Sequence, residues 1–309
     1  MIKQYYSFKK KLNFLLFNLI NSLAPYNWIQ KLYLLSKEKN QNKNKTNIEI
    51  DNFLSNYKLE KKLYAMDVGA EGGFNIDGGL NQKYINNFIP IMSEPRNIEE
   101  KNKNLTSKAF WSSNGEKILY VTGKNPSGSS FYIPDEIGFS FHTDEIGFKD
   151  YEVTEKILVK TTTIMDHLND LDIKNIDYLK IDTQGAEFEI LRGLGKFRPL
   201  LIKVEVQIIP LYKNVPSWTE LVNLMHQYGY IIINQEQFAI NRFMDFPHIV
   251  DMIFIPNFLT TTGREIINTR KKEFIFLMVS VGEIKILQKI SSLLNFSEDK
   301  DIQNIKIIK

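Results

Sequence analysis

An α/β fold on a doubly wound, mostly parallel sheet, with helical extensions at both ends, is the class predicted by three features of the sequence. Apolar runs of strand length lie near residues 63–68, 88–92, 178–181 and 200–206, and runs that are apolar throughout suit strands buried on both faces. The first three lead into an acid and a turn, at Asp67, Glu94 and Asp182, which is where ligands bind in open α/β sheets. Segments with helical spacing separate the runs, so strands and helices alternate over residues 60–256, the pattern of a parallel sheet covered on both faces. The 309 residues allow one large domain with extensions, at ~100–200 residues per domain. The boundaries read as an amphipathic helical extension and polar linker over 1–47, the main domain over 48–259 and a helical C-terminal extension over 260–309.

Residues 1–45 begin basic and aromatic, then place Phe8, Leu12, Leu15, Leu16, Leu19 and Leu23 at steps of three and four, one face of a helix. Asn13, Asn18 and Asn21 interrupt the run and leave it too polar to span a membrane, which takes ~20 apolar residues. The basic start and Ser22-Leu23-Ala24 also suit a signal peptide, against which the asparagines argue. An amphipathic helix on the protein body is the plainer reading, with peripheral membrane contact as the alternative. Residues 37–47 have no apolar anchor and read as a linker.

Leu63 to Val68 reads as a buried strand feeding a glycine turn, with a helix over about 77–88. Phe88 to Met92 is a second strand, stopped at Pro95. Tyr178 to Ile181 is a third, followed by a helix that starts at Glu187 and ends at Gly193. Leu200 to Gln207 is another strand, Trp218 to Met225 a helix and Gly229 to Ile233 a strand. Phe274–Val281 and Ile284–Leu294 are apolar, the second with helical spacing at Ile286, Ile290, Leu293 and Leu294, and they form a helical extension with a frayed tail.

The glycine spacing separates two kinds of cofactor. A dinucleotide loop is G-x-G-x-x-G, with a helix N-terminus facing a pyrophosphate. Here the order is Gly69-Ala70-Glu71-Gly72-Gly73, and a carboxylate inside the loop repels a pyrophosphate. The same loop tolerates a cationic nucleoside without phosphate, and S-adenosylmethionine is one. Glu94, 25 positions after Gly69, sits where an acid grips the two ribose hydroxyls. Asp182 ends its strand at the ligand-binding edge; a helix cap is the plainer reading. Glu205 lines the same crevice or faces outward from its strand.

Composition trims the choices. The absence of cysteine excludes disulfides, thiolate metal sites and a cysteine nucleophile. The net charge of +3, from 39 basic and 36 acidic residues, is too small to signal the concentrated basic face of a nucleic-acid binder.

At these residues the chain resembles the FkbM-type methyltransferases, S-adenosylmethionine-dependent enzymes with the class I, Rossmann-like fold. The likeness is collinear from about 63 to 242. It is carried by Asp67-Val68-Gly69-Ala70-Glu71-Gly72-Gly73, Ser93-Glu94-Pro95, Ala109-Phe110-Trp111-Ser112, Ser127 to Tyr132 with its paired serines, Lys180-Ile181-Asp182-Thr183-Gln184-Gly185-Ala186-Glu187, and Glu205-Val206 with Pro210-Leu211-Tyr212 and then His226 to Gly229. Glu71 and Phe110 depart from the residues usual in the family. The resemblance implies O-methylation, commonly of a sugar hydroxyl in a glycan, glycolipid or natural product. It leaves the acceptor open, because loops and appended helices shape that pocket.

The mechanism expected is in-line attack of a hydroxyl oxygen on the sulfonium methyl. Asp182 is the first choice of base or positioning carboxylate, Glu205 the second and His142 the third, its plainer reading being a surface-loop histidine. Gly69, Ala70, Gly72 and Gly73 let the cofactor approach the backbone, beside Glu71, and Asp67 organises the loop. Trp111 and Ser112 flank the adenine, or Trp111 is core. Ser130 bonds cofactor or substrate, or simply belongs to a Gly/Ser turn. No metal site is expected, although Asp182 and Glu205 suit Mg2+ as hard oxygen ligands. A NAD-dependent oxidoreductase and a non-catalytic membrane-peripheral binding protein are the competing readings. The cofactor is made inside cells, so the expected location is the cytoplasm.

Overall fold

The computed structural model describes residues 49–69, 82–93, 95, 105–141, 148–240, 247–296 and 302–305. These fall in two compact units, one spanning Tyr57–Asp299 and a second that takes in residues 49–56 and 302–305. In the second unit residues 49–56 are helical. The amphipathic helix and linker expected before residue 48 lie outside the described residues.

The larger unit holds a seven-stranded sheet and a separate three-stranded one. The strands are β1 (Leu63–Val68), β2 (Phe88–Ser93), β3 (Leu105–Thr106), β4 (Ala109–Phe110), β5 (Gly115–Thr122), β6 (Val153–Thr162), β7 (Tyr178–Ile181), β8 (Leu201–Gln207), β9 (Tyr230–Ile240) and β10 (Pro247–Pro256). The helices are α1 (Glu136–Ser140), α2 (Ile164–Asp170), α3 (Glu187–Arg192), α4 (Trp218–Gln227), α5 (Thr261–Thr269), α6 (Lys271–Ser280) and α7 (Ile284–Leu294).

In the large sheet the order is β3-β2-β1-β7-β8-β10-β9. The first five strands are parallel to their neighbours, whereas β10 runs antiparallel to both β8 and β9. The fold is therefore mixed α/β on a central mixed sheet, four of whose strand pairs are parallel and two antiparallel, where a doubly wound, mostly parallel sheet was expected. An apolar run states that a strand is buried but carries no direction, so the reversal at β10 left no mark in the pattern. Pro90 is tolerated inside β2 because β3 pairs only with Met92 and Ser93, further along.

Helices lie against both faces. Met66 and Val68 of β1, Leu179 and Ile181 of β7, Ile202, Val204 and Val206 of β8, and Val250, Met252 and Phe254 of β10 share one core with Leu168 of α2, Ile190 of α3 and Leu221 of α4. α4 is started by a capping box between Ser217 and Glu220. On the opposite face Phe88, in register with Leu63, packs 6.0 Å from the ring of Phe276 in α6. Phe274 to Val279 are all fully buried, as expected for a helix that is apolar all round. The expected helix over 77–88 falls mostly outside the described residues, and Gln82–Asn87 is a 3-10 turn. Among the described residues no helix is long and apolar enough to cross a membrane.

The three-stranded sheet, in the order β4-β6-β5, was not foreseen. β6 reads Val-Thr-Glu-Lys-Ile-Leu-Val-Lys-Thr-Thr, is exposed along most of its first half and alternates between covered and exposed positions only from Ile157 to Thr161, so the sequence itself shows no regular alternation.

Candidate functional site

The carboxyl ends of β1, β2 and β7 converge on one cleft, open to solvent. Its floor is Val68, Gly69 and Ser93; its apolar walls include Phe110, Phe131 and Ile190; Ser129, Ser130 and Asp182 supply polar groups. Among the described residues, apolar side chains, hydroxyls and the Asp182 carboxylate line one cleft, a mixture that can take a nucleoside.

Gly69 is required, but by the protein itself. Its φ is +92°, and a Cβ there would sit 1.9 Å from the Asp182 carbonyl oxygen. The turn after β1 therefore packs directly on the turn after β7, and the Asp182 amide donates to the Val68 carbonyl at 3.0 Å. A side chain at 69 would separate the two strand ends that form the cleft.

The segment after β7 is held in an unusual shape. Gln184 has φ +52° and Gly185 has φ +100°, and the first is costly for a residue with a Cβ. Glu187, the first residue of α3, compensates. Its Oε1 accepts from the Thr183 amide (3.1 Å), the Thr183 hydroxyl (3.1 Å) and the Gly185 amide (3.0 Å). Burial pushes the Glu187 carboxyl up to about 7, although these hydrogen bonds pull the other way. Ser130 Oγ donates to the Gln184 carbonyl at 2.6 Å and accepts from the Tyr132 amide at 3.0 Å, so it ties the paired-serine loop to this turn while lining the cleft.

The first two candidate bases have different surroundings. The Asp182 side chain is 36% exposed and its Oδ2 lies 3.3 Å from Lys180 Nζ. That ammonium also lies 3.6 Å from Asp67 Oδ1, whose side chain is 1% exposed. Glu205 is buried and does not line the cleft. Its Oε1 accepts from Gln184 Nε2 at 3.2 Å, and the Tyr212 hydroxyl lies 3.1 Å from Gln184 Oε1. Burial, with the Asp182 carboxylate next in effect, raises the Glu205 carboxyl well above the ordinary range. Farther along the same sheet face Lys203 bridges Glu236 (3.0 Å) and Asp251 (3.1 Å). Sequence reasoning gave no site role to Lys180 or Glu187, although both stand in the Lys180–Glu187 block, and did not pick out Lys203; their signal was an ionisable residue inside a strand or opening a helix that had to be buried.

Of the remaining candidates, Trp111 packs in the core, 5.3 Å from the Phe131 ring, with Lys117 Nζ 4.1 Å from its centroid. Neither it nor Ser112 lines the cleft. Glu94 lies outside the described residues, although its neighbours Ser93 and Pro95 both line the cleft. Ala70, Glu71, Gly72, Gly73 and His142 also lie outside them. Among the described residues no group of three or more His, Asp or Glu side chains is placed to hold a metal ion.

Comparison with known proteins gives one family: the methyltransferase FkbM domain matches residues 67–232, which spans β1 to the start of β9 and every described side chain of the cleft. No curated protein matches the chain.

Proposed function

The chain belongs to the FkbM methyltransferase family, and on that premise we propose that it is an S-adenosylmethionine-dependent O-methyltransferase of the class I, Rossmann-like kind, acting on a hydroxyl of a sugar in a glycan, glycolipid or natural product. The observation that carries the reading is the meeting of Gly69, Ser93, Ser130 and Asp182 around one cleft at the strands' carboxyl ends. Asp182 at that cleft disfavours a pyrophosphate and favours a positively charged, phosphate-free nucleoside.

The cofactor, when bound, supplies a methyl group already activated by its sulfonium. The protein's part is alignment and proton removal. Phe110 and Phe131 offer the apolar wall for the nucleobase, and Ser93, Ser129 and Ser130, whose hydroxyl protons go to the Lys108, Pro126 and Gln184 carbonyls, keep acceptor oxygens for its polar ends. Asp182, half in solvent, takes the acceptor hydroxyl's proton as the new bond forms, an effect of ~10²–10⁴-fold. Holding the reacting atoms in line supplies up to ~7–11 kcal/mol more. Because this cofactor is made inside cells, we place the enzyme in the cytoplasm.

Calorimetric titration with S-adenosylmethionine and, separately, with NADH tests the cofactor: saturable binding of the first and none of the second is expected, and the reverse overturns the reading. Incubation with methyl-labelled cofactor and fractionated glycan and lipid extracts tests the acceptor. Label entering a carbohydrate-bearing fraction is expected; label confined to protein or nucleic acid overturns the sugar assignment.

A further inference from the structure

We propose that Lys180 is the positioning residue of this site: its ammonium, pinned by the buried Asp67, fixes the Asp182 side chain at the mouth of the cleft. The inference rests on the reading of Asp182 as the proton acceptor.

Three strand positions make the arrangement. Asp67 and Lys180 are directly opposed in the β1–β7 register, so their side chains leave the same face of the sheet. Asp182 follows two residues later, past the end of β7. The exposures set the direction of the device. Asp67 is 1% exposed, Lys180 12% and Asp182 36% along their side chains. A carboxylate as deeply buried as Asp67 requires compensation for its charge, so Lys180 is committed from below. What remains of its charge is presented upward to the one member of the trio that solvent reaches.

The surroundings keep the ammonium in place. Lys203 stands opposite Lys180 on β8, but it is occupied by Glu236 and Asp251. Asp251 on β10 adds negative charge nearby, Glu205 on β8 is raised by burial well above the ordinary carboxylate range, and on the other side Asp67 is paired in register with the apolar Met92. The carboxylates outweigh burial and move the Lys180 ammonium to a higher pKa, so it stays charged across the neutral range.

Carboxyl-13C aspartate labelling tests this without cofactor or acceptor, with the Asp182 resonance identified by its loss in Asp182→Asn. In Lys180→Met at neutral pH the Asp182 resonance should move and broaden, as the side chain loses its fixed place beside the ammonium; in Lys180→Arg it should return to the wild-type position. Asp67→Asn moves it the other way, because the freed ammonium then serves Asp182 alone. That variant keeps the test open should Lys180→Met fail to fold. A merely structural lysine predicts a lower melting temperature and an unmoved Asp182 resonance, and an unmoved resonance in every variant that folds overturns the proposal. Failure of the readings beneath it has different signatures: labelled methyl transfer that survives in Asp182→Asn removes Asp182 as the proton acceptor, and no transfer by the wild type removes the methyltransferase reading.

Discussion

Asp182 and Glu205 follow or end neighbouring parallel strands, and the sheet gives them opposite lives. Asp182 borders the cleft, is 36% exposed and shares an ammonium with Asp67. Glu205 is 8% exposed, faces Gln184 and lies among Asp182, Glu187 and Asp251 with their like charge. One carboxylate is wet and balanced by a cation. The other is dry, served by an amide, and takes up a proton well above the ordinary range. Two acids of similar chemistry a strand apart thus separate into a group suited to proton transfer at the cleft and one suited to holding a loop, because solvent and counter-charge set the cost of the ionised form.

The sharpest way to break that comparison is to remove the charge at the cleft. Asp182→Asn should lower methyl transfer by ~10²–10⁴-fold while binding of S-adenosylmethionine, followed by calorimetry, persists. Transfer that remains at the wild-type rate removes Asp182 from the chemistry. The second-largest effect is steric. Gly69→Ala brings a Cβ to 1.9 Å from the Asp182 carbonyl at a φ of +92°, combining backbone strain with overpacking for a cost of about 2–5 kcal/mol. Urea denaturation should report that loss, and calorimetry should report a weakened cofactor site. A fully stable Gly69→Ala would mean that the two turns are free to part, and the cleft would lose its shared floor.

Much of this architecture was legible in the sequence. Leu63–Val68, Tyr178–Ile181 and Leu201–Gln207 are strands whose burial on both faces shows as apolar runs broken only by Asp67, Lys180, Lys203 and Glu205 before the closing Gln207. The helix from Glu187 to Arg192, closed at Gly193, follows from its acidic first turn and its glycine stop. The small sheet was not legible, because the Glu-Lys pairs that open β5 and β6, at Glu116-Lys117 and Glu155-Lys156, resemble a polar loop until the strands are paired. Nor was the division between Asp182 and Glu205. Both are acids near strand ends in the sequence, and only packing decides that Gln184 and Tyr212 close over one of them. The Lys180 clamp was hidden for the same reason: register across strands is not written within either strand.

The buried side of the comparison can be sharpened with pH. Glu187 has a carboxyl pushed up to about 7 from an ordinary value of 4.5, so the folded state holds this proton over a range in which the unfolded chain has released it. Its contribution to stability is therefore greatest at low pH and is lost as pH rises from about 4.5 through 7, by roughly 3 kcal/mol in all. Denaturation of the wild type and of Glu187→Gln at pH 5 and pH 8 isolates the term. The wild type should lose more stability than the variant between the two, the amide having nothing to titrate. Equal slopes would show that the three donors around Glu187 Oε1 keep it ionised at both.

The smallest expected effect is the most discriminating for Glu205. A glutamine has the shape of the protonated acid and keeps an oxygen to accept from Gln184 Nε2, so Glu205→Gln should cost less than ~1 kcal/mol and leave methyl transfer within a few-fold of wild type. Glu205→Ala should cost ~1–3 kcal/mol, since it strips a buried amide of its partner and loosens the left-handed turn at Gln184. The pair separates a loop-holding acid from a proton acceptor. If Glu205→Gln were as deficient in transfer as Asp182→Asn while remaining equally stable, a charge at 205 would be needed for the reaction. The line drawn between the wet carboxylate and the dry one would then have to be moved to include both.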